Sequence, residues 1–449
     1  MKKRTFLKLS SALMTAPLFS PLLSCETESK AETLKNWAGN LTYSTGQLDQ
    51  AKSVAEAQEL VKKYDKVKQL GTRHCFNKIA DSDDRFVSLV GAPEDIVIAA
   101  DGKSVTVNAG IKYGELSPYL HEKGFALHNL ASLPHISVAG AIATATHGSG
   151  EKNGNLASAV SGLKMLTANG DLVTLSREKD GENFNAAVVH LGALGVLTEV
   201  TLDLQPTFLM TQYVYQNMPI AQLKDHFDEI QASGYSVSLF TNWQSQDIAE
   251  VWVKQRADAP QMDQKEWLGA TLATQNLHPI PELSAENCTA QMGVPGPWYE
   301  RMPHFKMGFT PSSGDELQAE YFLPRQHAVD AIMAIARLGN QVGPYLLTSE
   351  VRAIAADNLW MSPCYKQDCI TIHFTWKPDW PGVSKLLPIV EKELAPYNAR
   401  PHWGKLFAMA PADLQKHYPR LPEFREVAKH YDPKGKFRNA FLEKNVFGS

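Results

Sequence analysis

The chain of 449 residues is poor in cysteine, with five in all, and no two stand as a Cys-x-x-Cys pair, so a zinc knuckle has no ligand spacing to use. It lacks an excess of either charge: 44 basic against 48 acidic residues leave a formal net charge of -4, and no basic stripe is visible. That excludes a nucleic-acid binder, whose affinity rests on phosphate neutralisation. No stretch reaches the ~18 apolar residues of a membrane span, and no period of about 20 to 50 residues marks a repeat protein. Three nucleotide or nucleophile signatures are missing too. There is no Gly-x-Gly-x-x-Gly on a strand-to-helix turn, no Walker loop and no Gly-x-Ser-x-Gly elbow, which removes most of the case for nicotinamide Rossmann enzymes, P-loop enzymes and typical α/β hydrolases. What is present is an ordinary globular composition, 44% hydrophobic and 20% charged, long enough for two to three domains at about 150 residues each.

The first 25 residues read as a targeting segment. Lys2, Lys3 and Arg4 precede an apolar run from Phe6 to Leu23, and Leu22-Leu23-Ser24-Cys25 resembles a lipobox whose cysteine becomes the lipidated first residue. Lys3-Arg4-Thr5-Phe6-Leu7-Lys8 resembles a twin-arginine export motif. The expectation is an exported protein, periplasmic or anchored to the membrane only through Cys25, with residues 26–33 as a tether. A first helix packed on the domain is the competing reading, weakened by Pro17, Pro21 and Lys8. Cys75, Cys288, Cys364 and Cys369 then remain, and four thiols permit three pairings that sequence cannot choose between.

Further along, Ser53 with Glu56 makes a capping box, and Val54, Ala57, Val61 and Tyr64 share one helical face. A short strand at Val67 to Leu70 runs into the turn Gly71-Thr72-Arg73-His74. An alternating run at Ser104 to Ala109 precedes an amphipathic stretch with Leu116, Tyr119 and Leu120, and strands and helices continue to alternate to Pro206. The class is α+β. Residues Ser137 to Gly150 are almost all small, which suits either close packing of two elements or a cradle of backbone amides around a diphosphate. From Thr207 to Ala410 aromatics and prolines increase, and this stretch reads as a second domain. Within it, period 2 puts Glu350 and Arg352 on one strand face and His373 and Thr375 on another. A surface ion pair on an edge strand would explain the first pair, and a satisfied core histidine the second. With Pro401-His402-Trp403-Gly404-Lys405 they would instead form a cationic pocket for a polyol.

Seven ordered motifs resemble the bacterial alditol oxidases, within the vanillyl-alcohol-oxidase-like flavoproteins. They are Asn36-Trp37-Ala38-Gly39-Asn40, Gly71 to Asn77, Ala131 to Gly140, Thr146-His147-Gly148-Ser149-Gly150, Leu191 to Val196, Glu350-Val351-Arg352 and His402-Trp403-Gly404-Lys405. The resemblance implies a two-subdomain FAD-binding domain at 34–206, an α+β cap domain at 207–410 and a C-terminal return to the first domain at 411–449. It implies FAD bonded covalently to His74. Cofactor contacts fall on Gln69, Leu70, Gly71, Thr72, Arg73, His74, Cys75, Ser132, Ser137, Gly140, Thr144, Ala145, Thr146, His147 and Val196. Substrate contacts fall on Ser132, Glu350, Arg352, Thr375 and Lys405, with no metal. In this reading Arg352 and Lys405 stabilise a developing alkoxide, Glu350 orients Arg352 and binds a hydroxyl, and His373 accepts the proton. The turn departs from the family by reading Thr-Arg-His-Cys where many relatives read Ser-Gly-His-Ser. The implied reaction oxidises the terminal CH–OH of a sugar alcohol, with oxygen as acceptor and a monomer as the working unit. An aldonolactone oxidase or dehydrogenase is the alternative, and a quinone or cytochrome as acceptor would make the enzyme a dehydrogenase. A carbohydrate-binding lipoprotein without redox activity is the reading from another class.

Overall fold

The structure, a computed structural model, describes residues 33–93, 95–308 and 315–448; the signal, the lipobox and all but the end of the tether lie outside the described residues. Ser53 caps a helix at Val54–Lys63, its hydroxyl accepting from the Glu56 N–H at 3.2 Å. Glu56 reaches back to the Lys52 N–H at 2.8 Å, one residue earlier than a standard capping box. The helix leads into a three-stranded parallel sheet ordered Leu48–Gln50, Phe86–Ser88, Lys68–Gln69. Next to it in sequence, a five-stranded antiparallel sheet runs Val97–Ile98, Ser104–Asn108, Val196–Asp203, Val160–Leu166, Leu172–Ser176. Val105, Val107, Leu163, Val200 and Leu202 from this sheet share one core with Leu116 and Leu120 of the helix Tyr113–Glu122 and with Ile142 of the helix Val138–Ala143. The same core takes Leu421, Phe424 and Ala428 of the helix Leu421–Tyr431, and Val446 beyond it. The end of the chain is thereby sealed against the five-stranded sheet.

A ten-stranded sheet dominates the middle of the chain. Its inner strands lie in the order Leu209–Pro219, Asp247–Arg256, Ser236–Thr241, Leu346–Ile354, Cys369–Trp376, Leu317–Pro324, all paired antiparallel. Period-2 alternation gives this sheet two unlike faces. Val251, Val253, Val351, Ile372, Phe374, Ala319 and Tyr321 point to one side, where they meet Phe227, Ile332 and Leu387 from the helices Leu223–Ala232, Ala328–Arg337 and Trp380–Leu394. The residues between them point the other way, and there the sheet is polar yet buried. Glu320 is opposite His373, His373 opposite Glu350, and Glu350 opposite Phe240, so one row of the ladder carries two carboxylates and an imidazole. Burying such groups is costly unless they satisfy one another, and that requirement shapes the site.

Candidate active site

The turn after Lys68–Gln69 delivers His74. Trp37 stacks on its ring at 5.2 Å between centroids, and Nδ1 lies 3.0 Å from the Thr72 hydroxyl, which also accepts from the Ser137 N–H at 3.1 Å. Nε2 is buried and has no partner. Burial pulls the imidazole down to about 3, so it is neutral at physiological pH. Arg73 holds φ at 65°, a left-handed conformation in which glycine is at ease and other residues cost about 1–2 kcal/mol. Its guanidinium donates to the Lys35 carbonyl at 3.1 Å, tying the turn to the segment that carries Trp37. This accounts for the arginine in the turn by a tether rather than by chemistry. Gly71 has no side chain because a Cβ there would collide with the Ser137 hydroxyl. Beside His74, burial pushes the Cys75 thiol up to about 12, which removes it as a nucleophile, and all four cysteines among the described residues are free.

These residues open onto a cavity of ≈ 250 Å³ whose other wall is the polar face of the large sheet. Glu320, fully buried, is the hub there. Arg352 Nη2 donates to its Oε1 at 2.7 Å, His147 Nε2 is 3.2 Å from the same oxygen, and His373 Nδ1 is 3.5 Å from Oε2. Lys405 Nζ bonds Oε2 closely and lies 2.8 Å from His373 Nδ1. An ammonium has three donors, so Lys405 keeps one after these two. His373 Nε2 lies 3.0 Å from the Thr375 hydroxyl. With Lys405 able only to donate to Nδ1, the imidazole carries its proton on Nε2 and gives it to Thr375. Arg352 Nε is 3.4 Å from Glu350 Oε2, and Nη1 is 3.4 Å from the Ser132 hydroxyl.

The electrostatics follow from this geometry. Burial opposes ionisation of Glu320, but Lys405, His147 and Arg352 outweigh it and hold the carboxyl well below its usual range. Burial likewise opposes ionisation of Glu350, and Arg352 and His304 overcome it. Burial pulls His373 down to about 4, with Lys405 acting in the same direction. The cluster thus holds two carboxylates, two cations and neutral imidazoles. His147, Glu320 and His402 bring ligand atoms within 4.8 Å of one another. Both oxygens of Glu320 already carry a cationic donor, so a metal ion placed there would sit against two positive charges; the donor set does not suit one.

Most of the residues singled out from sequence meet at this cavity. Gln69 to Cys75, Ser132, Ser137, Gly140, Thr144, Thr146, His147, Glu350, Arg352, His373, Thr375 and Lys405 all line it. Two of the expected cofactor residues lie off the cavity wall. Ala145 turns its methyl into the first core at φ 55°, and Val196 packs with Val67, Leu166 and Phe437; neither lines the cavity. The amide cradle also shrinks, because the N–H groups of Val138 and Ala139 are spent on the carbonyls of Ile111 and Ala109 at 2.9 Å each. A surface setting for Glu350 and Arg352 is excluded, since each is 4% exposed on an inner strand. The main orienter of Arg352 is Glu320 rather than Glu350. Glu320, His304 and Lys254 were not singled out from sequence, although the same period-2 test applied to Leu317–Pro324 puts Gln318 and Glu320 on one face.

The residues fit a flavin dinucleotide on two structural grounds. His74 Nε2 and the Ser137 hydroxyl are buried polar atoms with no protein partner, both at the cavity wall, and a buried polar atom of this kind calls for a bound group. The glycines and small residues at 71, 140 and 141 keep that wall low. The fold agrees: cholesterol oxidase from Brevibacterium sterolicum superposes with a TM-score of 0.74 at 15% identity, covering 93% of this chain and 97% of that one. A family model described as FAD binding domain matches residues 47–176. Fold and site define an FAD-dependent oxidoreductase of the vanillyl-alcohol-oxidase type.

A second family model, D-arabinono-1,4-lactone oxidase, matches residues 315–445. The chain is 44% identical over 417 residues to an alditol oxidase of Streptomyces sp. (strain IKD472), covering 92% of this chain and 99% of that protein. It is 26% identical to an L-gulono-1,4-lactone dehydrogenase of Mycobacterium tuberculosis, over 91% of this chain and 98% of the other. The bovine L-gulonolactone oxidase is also 26% identical, with 92% and 98% covered. The chain belongs to the alditol oxidase family of these flavoproteins.

Proposed function

We propose that the protein oxidises the terminal CH–OH of a sugar alcohol to the aldose, passing two electrons to oxygen and yielding hydrogen peroxide. The observation that carries this reading is the pair of cations, Arg352 and Lys405, fastened to one buried carboxylate and facing the cavity that His74 also faces. Bound FAD supplies the acceptor for the hydride that leaves the substrate carbon. The protein's part is to bind and to manage charge. As the hydroxyl loses its proton the oxygen becomes alkoxide-like, and two preorganised cations stabilise it without reorienting. Ser132, Thr375 and Glu350 supply donors and acceptors for neighbouring hydroxyls, each of which would cost about 1–3 kcal/mol if buried unpaired. His373 is the proton acceptor in this proposal. Its Nδ1 faces the Lys405 ammonium, so proton uptake there requires Lys405 to turn its hydrogen bond toward substrate oxygen. Oxidation of an aldonolactone is the second reading, favoured by the lactone-oxidase match over the segment that holds Glu320, Glu350, Arg352, His373 and Lys405. Peroxide production compared across xylitol, sorbitol, and gulono- and galactonolactone separates the two. The polyols should turn over faster, and activity confined to the lactones would reverse the assignment.

The neutral, unpartnered Nε2 of His74 is the atom positioned to carry a covalent link to the flavin. Protein denatured on a gel is expected to keep its flavin fluorescence, and His74→Ala to lose it. Release of all the flavin from the wild type by acid precipitation would contradict the link. The chain is proposed to work as a monomer exported by the twin-arginine route and anchored through Cys25. Cys25→Ser should then move the protein from the membrane to the soluble fraction of fractionated cells, and an unchanged distribution would remove the anchor.

A further inference from the structure

Behind Glu350 lies a second buried assembly that the reaction described above does not use. Lys254, in the middle of the strand Asp247–Arg256, has no exposed surface. Its Nζ lies 2.6 Å from the Met302 carbonyl, 3.0 Å from that of Pro303 and 3.0 Å from His304 Nδ1. Burial draws Lys254 down to about 7 and the nearby Glu350 carboxylate opposes this, so its charged form is the one that pairs with an ionised Glu350; as an ammonium it donates three protons and accepts none. All three are therefore used, and His304 Nδ1 is obliged to be an acceptor. The proton of the neutral imidazole then sits on Nε2, which is 2.8 Å from Glu350 Oε1. The ring is held edge-on between Phe240 at 5.4 Å and Trp252 at 5.2 Å, which fixes its plane. The backbone of the same residue completes a circuit: the His304 N–H donates to the Ser132 carbonyl at 3.1 Å. From Ser132 the circuit returns through its hydroxyl to Arg352 and thence to Glu350.

We propose that Lys254 and His304 are positioning residues, Lys254 setting the His304 tautomer so that this histidine holds Glu350 as an ionised acceptor for a polyol hydroxyl and keeps it in register with Ser132. Two groups that touch substrate in the proposed function are thereby fixed by one residue on the wall of the same cavity. The inference rests on the polyol reading for its kinetic consequence, but the tautomer itself does not. The groups facing Glu350 are Arg352 on its own strand, His373 on the neighbouring strand, His304 from the loop, and Lys254 and Glu250 on the strand beyond Phe240, with Glu320 and Lys405 across the cluster. Arg352 and His304 hold the Glu350 carboxyl low, so removal of the His304 donor lets it rise and leaves Glu350 a weaker, less firmly placed acceptor.

Two measurements test this on the flavin-loaded enzyme. In protein labelled with nitrogen-15 at histidine, the His304 signals, assigned by their loss in His304→Gln, should show a bare Nδ1 and a protonated Nε2. A protonated Nδ1 overturns the proposal whatever the substrate is. In the second, His304→Gln, whose amide can place a donor near Nε2, is compared with His304→Leu. The Leu variant should raise KM for the polyol by about tenfold or more, with kcat and flavin content little changed. The Gln variant should restore most of the loss. If His304→Leu matches the wild type in KM, or lowers kcat and flavin content together, the proposal fails. If the wild type is not reduced by any polyol, it is the proposed function that fails, and the tautomer result still stands or falls alone.

Discussion

Glu320→Gln is expected to be among the most damaging single changes in the molecule, lowering stability by about 3–5 kcal/mol and stopping most turnover. Removing one partner of a buried ion pair leaves the other charge uncompensated, and that loss has this magnitude. Here the exposure of the carboxylate is zero and two cations depend on it. Gln keeps the shape and loses the charge. Lys405 is already drawn below its usual range by burial, with Glu320 the chief force restoring it, so in the variant it should titrate lower still. The pH dependence has a definite sign. The Glu320 carboxyl is held well below its usual range in the folded protein, whereas in the unfolded chain it titrates near the reference value of about 4.3. Its contribution is therefore complete above that value and is lost as pH falls toward the lower folded one. Urea unfolding at pH 7 should show the full gap between wild type and Glu320→Gln, and the gap should narrow only in strong acid. Equal midpoints at pH 7 would mean that Arg352 and Lys405 are held by something other than this carboxylate.

Arg352→Met should lower kcat by about 10²–10³-fold, the usual cost of removing one preorganised donor to developing oxyanion charge. Flavin content should stay near that of the wild type, because Arg352 sits on the large sheet and the residues fitted to the cofactor lie on the turn at 71–75 and the helix Val138–Ala143. Met keeps an unbranched stem in place of the aliphatic part of arginine and removes the charge, and Lys405, His147 and His373 still face Glu320. The ratio of flavin absorbance to protein absorbance, read beside kcat, separates the roles. A parallel fall of both would assign Arg352 to folding.

The two strands with polar pairs were legible in the sequence because alternation is a property of the strand itself. Glu350 with Arg352, and His373 with Thr375, share a face in any strand that contains them. Pattern alone could not say whether that face was wet or buried. This depends on strand order, and both strands turned out to be inner ones. Glu320 was within reach of the same test, but its strand continues to Phe322 on the polar face, which blurs the alternation. His304 and Lys254 were beyond it. Their contact joins a loop to a strand 50 residues earlier, and nothing local in Met302-Pro303-His304 signals a partner. Val196, expected at the cofactor, does not line the cavity, for a related reason. The motif Leu191 to Val196 does reach the cavity, but through Leu191 and Gly192, while Val196 has already entered the sheet and faces the core.

An absorbance spectrum of the purified protein followed by anaerobic titration with xylitol or sorbitol bears most directly on the whole account. The purified protein should be yellow, and polyol should bleach the flavin band stoichiometrically, with colour returning on admission of air. A folded, colourless preparation that takes up no FAD, or a yellow one that no polyol or lactone bleaches, would contradict it.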